Sequence, residues 1–161
     1  MLNGGVVWGV VPMDWIIAVK EAIFETPRHI YQVLTKNPGN GFFKFNWTSN
    51  VWRGVTVTNQ NEIDRVSNLV NHDTDINGLR FVSFEPLLGP IDLSAVAGGI
   101  DWVIIGRMTG PGSSKYICDK SLFDMEWVHD IMDWCEEHAI PCFVKNNVGL
   151  GLRYQEFPKE D

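Results

Sequence analysis

Short apolar strands that each end in a polar or charged cluster recur through this chain, and helical segments separate them. Five such clusters follow one another: LTKNP at 34–38, VTVTNQ at 55–60, SFEPLLGP at 83–90, IIGRMTGPG at 104–112 and FVKNN at 143–147. Residues at the carboxyl ends of the strands line the working face of a β/α barrel. The clusters therefore predict where a functional site lies before any chemistry is considered.

The alternation of strand and helix predicts the fold class. Apolar or β-branched runs indicate strands at 4–11, 29–36, 51–58, 79–86, 101–108 and 140–147, and helical spacing indicates helices at 13–25, 63–71 and 121–138. This order favours a parallel sheet with right-handed crossovers. We expect an α/β fold, a partial (β/α) barrel with a mostly parallel sheet of about five or six strands. Residues 1–161 form a single domain in this interpretation, and 153–161 form a mobile tail.

Composition narrows the classes of partner. The 13 Lys and Arg residues against 20 Asp and Glu residues give a formal charge of −7, which disfavours binding to nucleic acid. Lys36, Lys44 and Arg53 come nearest to a basic patch, but they lie in separate segments, so we expect scattered surface charges. No apolar run approaches the roughly 18 to 20 residues of a membrane span, and no signal peptide is recognisable, so we expect a cytoplasmic protein.

The cysteines and histidines predict no metal site. Cys118, Cys135 and Cys142 are odd in number and widely spaced, which supports neither a disulfide framework nor a CxxC metal site. We expect Cys135 and Cys142 to be reduced thiols in the core. The four histidines lack the paired spacing of metal ligands.

Six segments between residues 29 and 147 carry a family resemblance. They are HIYQVLTKNP, VWRGVTVTNQ, LRFVSFEPLLGPIDL, IDWVIIGRMTGPG, EWVHDIMDWCEEHAIP and CFVKNN. In this order they resemble a phage-associated family of unknown function that is related to radical-SAM enzymes. The resemblance implies a β/α barrel or partial barrel whose N-terminal part holds a [4Fe–4S] cluster on closely spaced cysteines, for the cleavage of S-adenosylmethionine.

This chain departs from that family pattern in ways that bear on activity. None of its three cysteines stands at the position of the cluster, which needs about three or four well-placed thiolates. We therefore expect no cofactor in this chain, and S-adenosylmethionine and the cluster only if a missing segment completes it. Many relatives carry an acidic residue at the positions of Thr58 and near Met108, and the opening GGVVWGVVP lacks an expected acidic strand end.

Side-chain alternation along the strands points to three candidate catalytic residues. Side chains alternate along a strand, so residues two apart share a side. This groups Gln32, Leu34 and Lys36 in the strand at 29–36, Phe81, Ser83 and Glu85 in the strand at 79–86, and Phe143 and Lys145 in the strand at 140–147. If these are the interior sides, Lys36, Glu85 and Lys145 converge, and they could bind a carboxylate or phosphate beside a general base. The alternative is a buried Lys–Glu pair that closes the top of the core without contacting any ligand.

Five further residues are candidates for ligand binding. They are Thr58, Asn59, Gln60, Arg107 and Asn147, which all belong to the polar clusters at the strand ends. For Asn59 the alternative is a helix cap, with Glu62 three residues later at the spacing of a capping box.

Three functions remain open from the sequence. The first is a domain that is not catalytic alone, and the second is a fragment or subunit of a radical-SAM enzyme that an upstream segment or a partner completes. The third is a module that binds a small anionic ligand. An incomplete parallel sheet leaves an open edge, so a homodimer through that edge is a further expectation.

Overall fold

The computed structural model describes residues 12–38, 47–72, 78–96, 98–110 and 122–159. The strand predicted at 4–11 lies outside the described residues. Cys118 and Lys44 lie outside them as well.

The strands form one five-stranded sheet in which every neighbouring pair is parallel. Their bounds are β1 Tyr31–Thr35, β2 Val51–Thr56, β3 Arg80–Phe84, β4 Trp102–Ile105 and β5 Cys142–Val144. The order in space follows the order in the chain, and the sheet does not close on itself in the described residues. The predicted α/β class is thereby confirmed, and the open parallel sheet agrees with a partial barrel.

Three α-helices belong to the described part of the chain. They are α1 Met13–Phe24, α2 Asp64–His72 and α3 Met125–Glu137. Asp124 caps α3, and its side chain accepts a hydrogen bond from the backbone N–H of Glu126. None of these helices has the length and apolar character needed to cross a membrane.

The buried side of α1 differs from its predicted apolar stripe. Trp15, Val19, Ala22 and Ile23 recur at helical spacing in the sequence, but the structure buries Ile16 and Ile23 and exposes the other three. Apolar residues occur on all sides of this helix, so spacing alone does not define its buried side.

The two faces of the sheet carry different clusters. One face packs with α2 and α3 through the main core, which includes Val55, Leu69, Val82, Ile131 and Val144. The opposite face, called the interior face below, carries Trp52, Phe81, Trp102 and Ile104, with Leu79 and Phe143 packed against them. Consecutive parallel strands with crossovers of one hand put the helices on one side of a sheet. The interior face therefore corresponds to the inside of a barrel.

The residue pairing across the strands confirms the predicted side-chain alternation. Leu34, Gly54, Phe81 and Trp102 are aligned across β1 to β4. Because Phe81 and Trp102 belong to the interior cluster, Lys36 follows β1 on the interior side by the same alternation. A glycine is required at position 54, since a Cβ there would lie 2.3 Å from the Phe81 ring.

Arg53 corrects one expectation about the surface. Its side chain is fully buried on the helix-covered side of β2, and one guanidinium nitrogen donates to the Gly78 carbonyl at 3.0 Å. Expecting a surface charge was wrong because β2 is buried on both faces, so alternation does not mark an exposed position.

The C-terminal segment pairs with the outer edge of β5. Val144 donates to the Tyr154 carbonyl at 2.7 Å, and Glu156 donates to the Cys142 carbonyl at 3.0 Å. The Phe157 ring then lies 5.6 Å from the Trp102 ring on the interior face. The sequence predicts a mobile tail at residues 153–161. Measuring whether these hydrogen bonds and the ring contact persist in solution tests that prediction.

Candidate functional site

An ion pair bridges two strand ends at the carboxyl edge of the sheet. Glu85 follows β3 and Lys145 follows β5, and the ammonium of Lys145 donates to Oε2 of Glu85 at 2.6 Å. The side chains keep 29% and 41% of their surface exposed. Both side chains are therefore partly buried and partly accessible from solvent.

Gly106 makes room for this ion pair. It follows β4, the strand that lies between β3 and β5. A Cβ at this position would lie 2.7 Å from Oε1 of Glu85, which is closer than real Cβ atoms approach another heavy atom. The missing side chain lets the Glu85 carboxylate lie across the end of β4 and reach Lys145.

Backbone hydrogen bonds hold the three strand ends in this arrangement. Gly106 donates to the Phe84 carbonyl at 3.1 Å and accepts from Leu87 at 2.9 Å. Lys145 donates to the Ile105 carbonyl at 2.9 Å. The Glu85–Pro86 peptide bond is cis. Both charged residues therefore leave ordered strand ends rather than free loops.

Lys36 is separated from the ion pair. It follows β1, which is separated from β3 by β2. Its side chain is exposed, and it makes no hydrogen bond or ion pair within the described part of the chain. The structure thus brings together two of the three predicted catalytic residues.

Thr58 and Glu62 form a hydrogen-bonded unit after β2. One Glu62 oxygen accepts from the backbone N–H of Thr58 at 2.8 Å, from its hydroxyl at 2.9 Å and from Arg65 at 2.8 Å. Burial raises the pKa of Glu62, but the hydrogen bonds from Thr58 and the charge of Arg65 lower it more, so the pKa falls below its ordinary value of 4.5. Thr58 therefore holds a carboxylate of the protein itself.

Asn59 and Gln60 also contact neighbouring protein groups. The Asn59 side chain accepts from the backbone N–H of Asn61 and caps the short 3-10 helix Gln60–Glu62, which agrees with the cap interpretation. The Gln60 side chain accepts from the Asp92 N–H at 2.7 Å. Glu62 does not complete a capping box, because it bonds Thr58 rather than the N–H of Asn59.

Arg107 and Asn147 pair with each other. The Asn147 amide donates to the Arg107 carbonyl at 2.9 Å and accepts from the Arg107 N–H at 3.3 Å. The Arg107 guanidinium lies over the Phe123 ring, 4.2 Å from its centroid. These contacts fasten the loop after β4 to the loop after β5, beside the ion pair.

Comparison with known proteins places the chain in a family. Residues 6–154 match the family described as protein of unknown function, DUF5131. The chain belongs to this family. Glu85, Gly106 and Lys145 of this DUF5131 chain all lie within the matched region. No curated protein and no solved structure matches the chain.

The two described cysteines of this DUF5131 chain do not fit an iron–sulfur cluster. Cys135 of α3 and Cys142 at the amino end of β5 are buried in the core between helix and sheet. A hydrogen bond with Cys135 and burial raise the pKa of the Cys142 thiol far above its ordinary value. A cluster requires about three or four thiolates grouped around one site, whereas the described residues bring together only these two thiols, and the raised pKa of Cys142 disfavours its thiolate.

Sequence reasoning did not find Gly106 or Glu62 as parts of the site. Gly106 has no functional group, so only its position directly after β4 and between two charged strand ends reveals its role. The spacing of Glu62 from Asn59 indicated a capping box and thereby concealed its contact with Thr58.

Proposed function

We propose that this chain is a radical-SAM-like partial-barrel domain that binds a small anionic ligand at the carboxyl edge of its sheet and performs no radical chemistry alone. The observation that carries this proposal is the accessible ion pair between Lys145 and Glu85, held across Gly106. Its place at the strand ends is where barrel domains bind their substrates.

Lys145 is the group that binds the anion. An ammonium has three donors, and Glu85 accepts from one of them, so an anion can bind the others at the exposed side. Glu85 then lies beside the bound ligand, where a carboxylate can act as a general base. The aromatic interior face provides an apolar surface beneath the pair, as is usual in sites for small organic molecules.

The cysteines support the second part of the proposal. The chain has three cysteines in all, and two of them are buried core thiols. A cluster held by this chain alone would need both of them as thiolate ligands together with Cys118, and the raised pKa of Cys142 disfavours its thiolate. We therefore propose that S-adenosylmethionine and a [4Fe–4S] cluster would require cysteines from another segment or from a partner.

The sheet edge at β1 favours a second candidate, a subunit of a larger enzyme. The C-terminal segment covers the outer edge of β5, whereas β1 has a strand neighbour only on its β2 side within the described ranges. An open strand edge invites pairing with another chain. A homodimer or a completing partner would join on the β1 side of the sheet, beyond the strand predicted at 4–11, and a monomer in light scattering over a wide concentration range would contradict the homodimer.

Calorimetric titration with inorganic phosphate and with acetate at low ionic strength tests anion binding. We expect binding by the wild type and by Lys159→Gln, whose exposed lysine belongs to the C-terminal segment, and loss of binding in Lys145→Gln. Equal affinity in Lys145→Gln and the wild type would contradict the proposed site. Lys36→Gln measures whether the separated lysine contributes to anion binding.

Iron and sulfide analysis of the purified chain tests the cluster proposal, and bound iron and sulfide in stoichiometric amount would overturn it.

A further inference from the structure

Two buried hydroxyls lie on the interior face beneath the ion pair. Thr56 of β2 and Ser83 of β3 are register partners, and only 4% and 2% of their surface is exposed. Ser83 is aligned with Ile104, and Ile104 with Phe143. The four residues therefore form one layer across β2 to β5, on the same face as the aromatic cluster.

Neither hydroxyl makes a hydrogen bond to any group in the described residues. The neighbouring Thr58 hydroxyl, by contrast, donates to Glu62 and accepts from Asn59. Neither hydroxyl oxygen is among the fully buried side-chain atoms that lack a hydrogen bond in the described residues. Both oxygens therefore reach the open space at the interior face, where an external molecule can donate or accept a hydrogen bond.

This hydroxyl layer is the one directly below the proposed anion site. Ser83 precedes Glu85 by two residues, as Ile104 precedes Gly106 and Phe143 precedes Lys145. Two residues of a strand span about 6.6 Å. A ligand that enters past Lys145 therefore meets hydroxyls at β2 and β3 and apolar side chains at β4 and β5.

We infer that the ligand is a short organic acid with a second polar group. Its anionic group binds Lys145, and a hydroxyl or carbonyl about one strand layer further along binds Thr56 and Ser83. Its carbon chain packs against Ile104 and Phe143. This inference rests on the proposed function and specifies the ligand class of the same site. It excludes simple inorganic anions as the complete ligand, because they are too short to reach both layers.

A pair of matched probes, 4-hydroxybutyrate and butyrate, tests the inference by NMR titration at low ionic strength. In the wild type we expect the hydroxy acid to bind about threefold to tenfold more tightly, as one net hydrogen bond predicts. We also expect it to shift the Thr56 methyl and Ser83 amide signals more than butyrate does. In Thr56→Val with Ser83→Ala the advantage should vanish, and Ser67→Ala, an exposed serine of α2, should retain it.

The outcomes separate this inference from the proposed function. If both acids bind at Lys145 with equal affinity, or if the advantage persists without the hydroxyls, the inference is overturned and anion binding stands. If neither acid binds the wild type, the proposed function and the inference both fail. If the double variant unfolds, the ratio of the two acids' affinities for the wild type and the signal shifts at Thr56 and Ser83 still decide whether the hydroxyls bind the ligand.

Discussion

The ammonium of Lys145 and the carboxylate of Glu85 meet at 2.6 Å across the end of a strand that belongs to neither of them. Gly106 directly follows that strand, and the contact depends on the absence of a side chain there. Two charged strand ends and one glycine therefore make up the candidate site, and the first prediction follows from the glycine.

Gly106→Ala should break the ion pair. The added Cβ would lie 2.7 Å from Oε1 of Glu85, so the carboxylate has to move away from Lys145 or the strand ends have to separate. We expect a loss of about 1 kcal/mol in the free energy of unfolding, because the pair is partly exposed and the atoms in the way belong to the flexible Glu85 side chain. Gly89→Ala is the matched control, because a Cβ there has no heavy atom within 4 Å. Urea unfolding measures both variants, and equal stability of the two would contradict this role of Gly106.

Glu62 should contribute a stability that depends on pH. Its pKa in the folded state lies below 4.5, so its contribution is complete above that pH and is lost as the pH falls through the lowered value. At neutral pH we expect Glu62→Gln to cost about 1 kcal/mol through weakened hydrogen bonds to Thr58 and Arg65. The difference from the wild type in urea unfolding should shrink on acidification below pH 4.5. A difference that is the same at every pH, or that appears equally for the exposed Asp133→Asn, would contradict the prediction.

The parts of this fold that could be predicted follow from the periodic spacing of apolar residues and from the turn-forming residues between the apolar runs. Apolar runs bounded by Pro, Gly and Asn marked all five described strands within a few residues. The meeting of Glu85 and Lys145 was also predictable, because parallel strands end at one edge and alternation put both side chains on one face. Both properties are local to a strand.

The predictions that failed concern features that depend on which strands and helices are neighbours in space. The sequence does not state the order of strands in the sheet, so it did not show that β2 separates Lys36 from Glu85. Arg53 belongs to a strand that is buried on both faces, so the alternation of side chains along that strand does not identify an exposed side. The buried side of α1 was also wrongly predicted, because apolar residues surround that helix.

Phe157 should anchor the C-terminal segment to the sheet. Its ring lies 5.6 Å from Trp102 and 5.2 Å from Phe143, while 58% of its surface stays exposed. We expect Phe157→Ala to cost about 1 kcal/mol and to speed hydrogen exchange at the Val144 and Glu156 amides. Leu152→Ala, at an 83% exposed position, should leave both unchanged. Rapid exchange at these two amides in the wild type would instead support the mobile tail expected from the sequence.

The core cysteines should be chemically inert in the folded protein. Cys135 and Cys142 are buried, and the pKa of Cys142 is raised by its hydrogen bond with Cys135 and by burial, so the reactive thiolate is scarce. In a Cys118→Ser background we expect no reaction with a disulfide reagent such as DTNB until urea unfolds the chain, and then two thiols. Prompt labelling of either thiol under native conditions would show that it is accessible and would weaken the argument against a cluster.

The affinity of Glu85→Gln for inorganic phosphate is the most direct test of an anion site at Lys145. Replacing the carboxylate by a neutral amide removes the negative charge that competes for the ammonium and repels the ligand. A charge about 4 Å away contributes about 1 kcal/mol in water, so titration calorimetry should show an affinity about fivefold higher than that of the wild type. An unchanged affinity accompanied by altered stability would instead identify the pair as a closure of the barrel core that contacts no ligand.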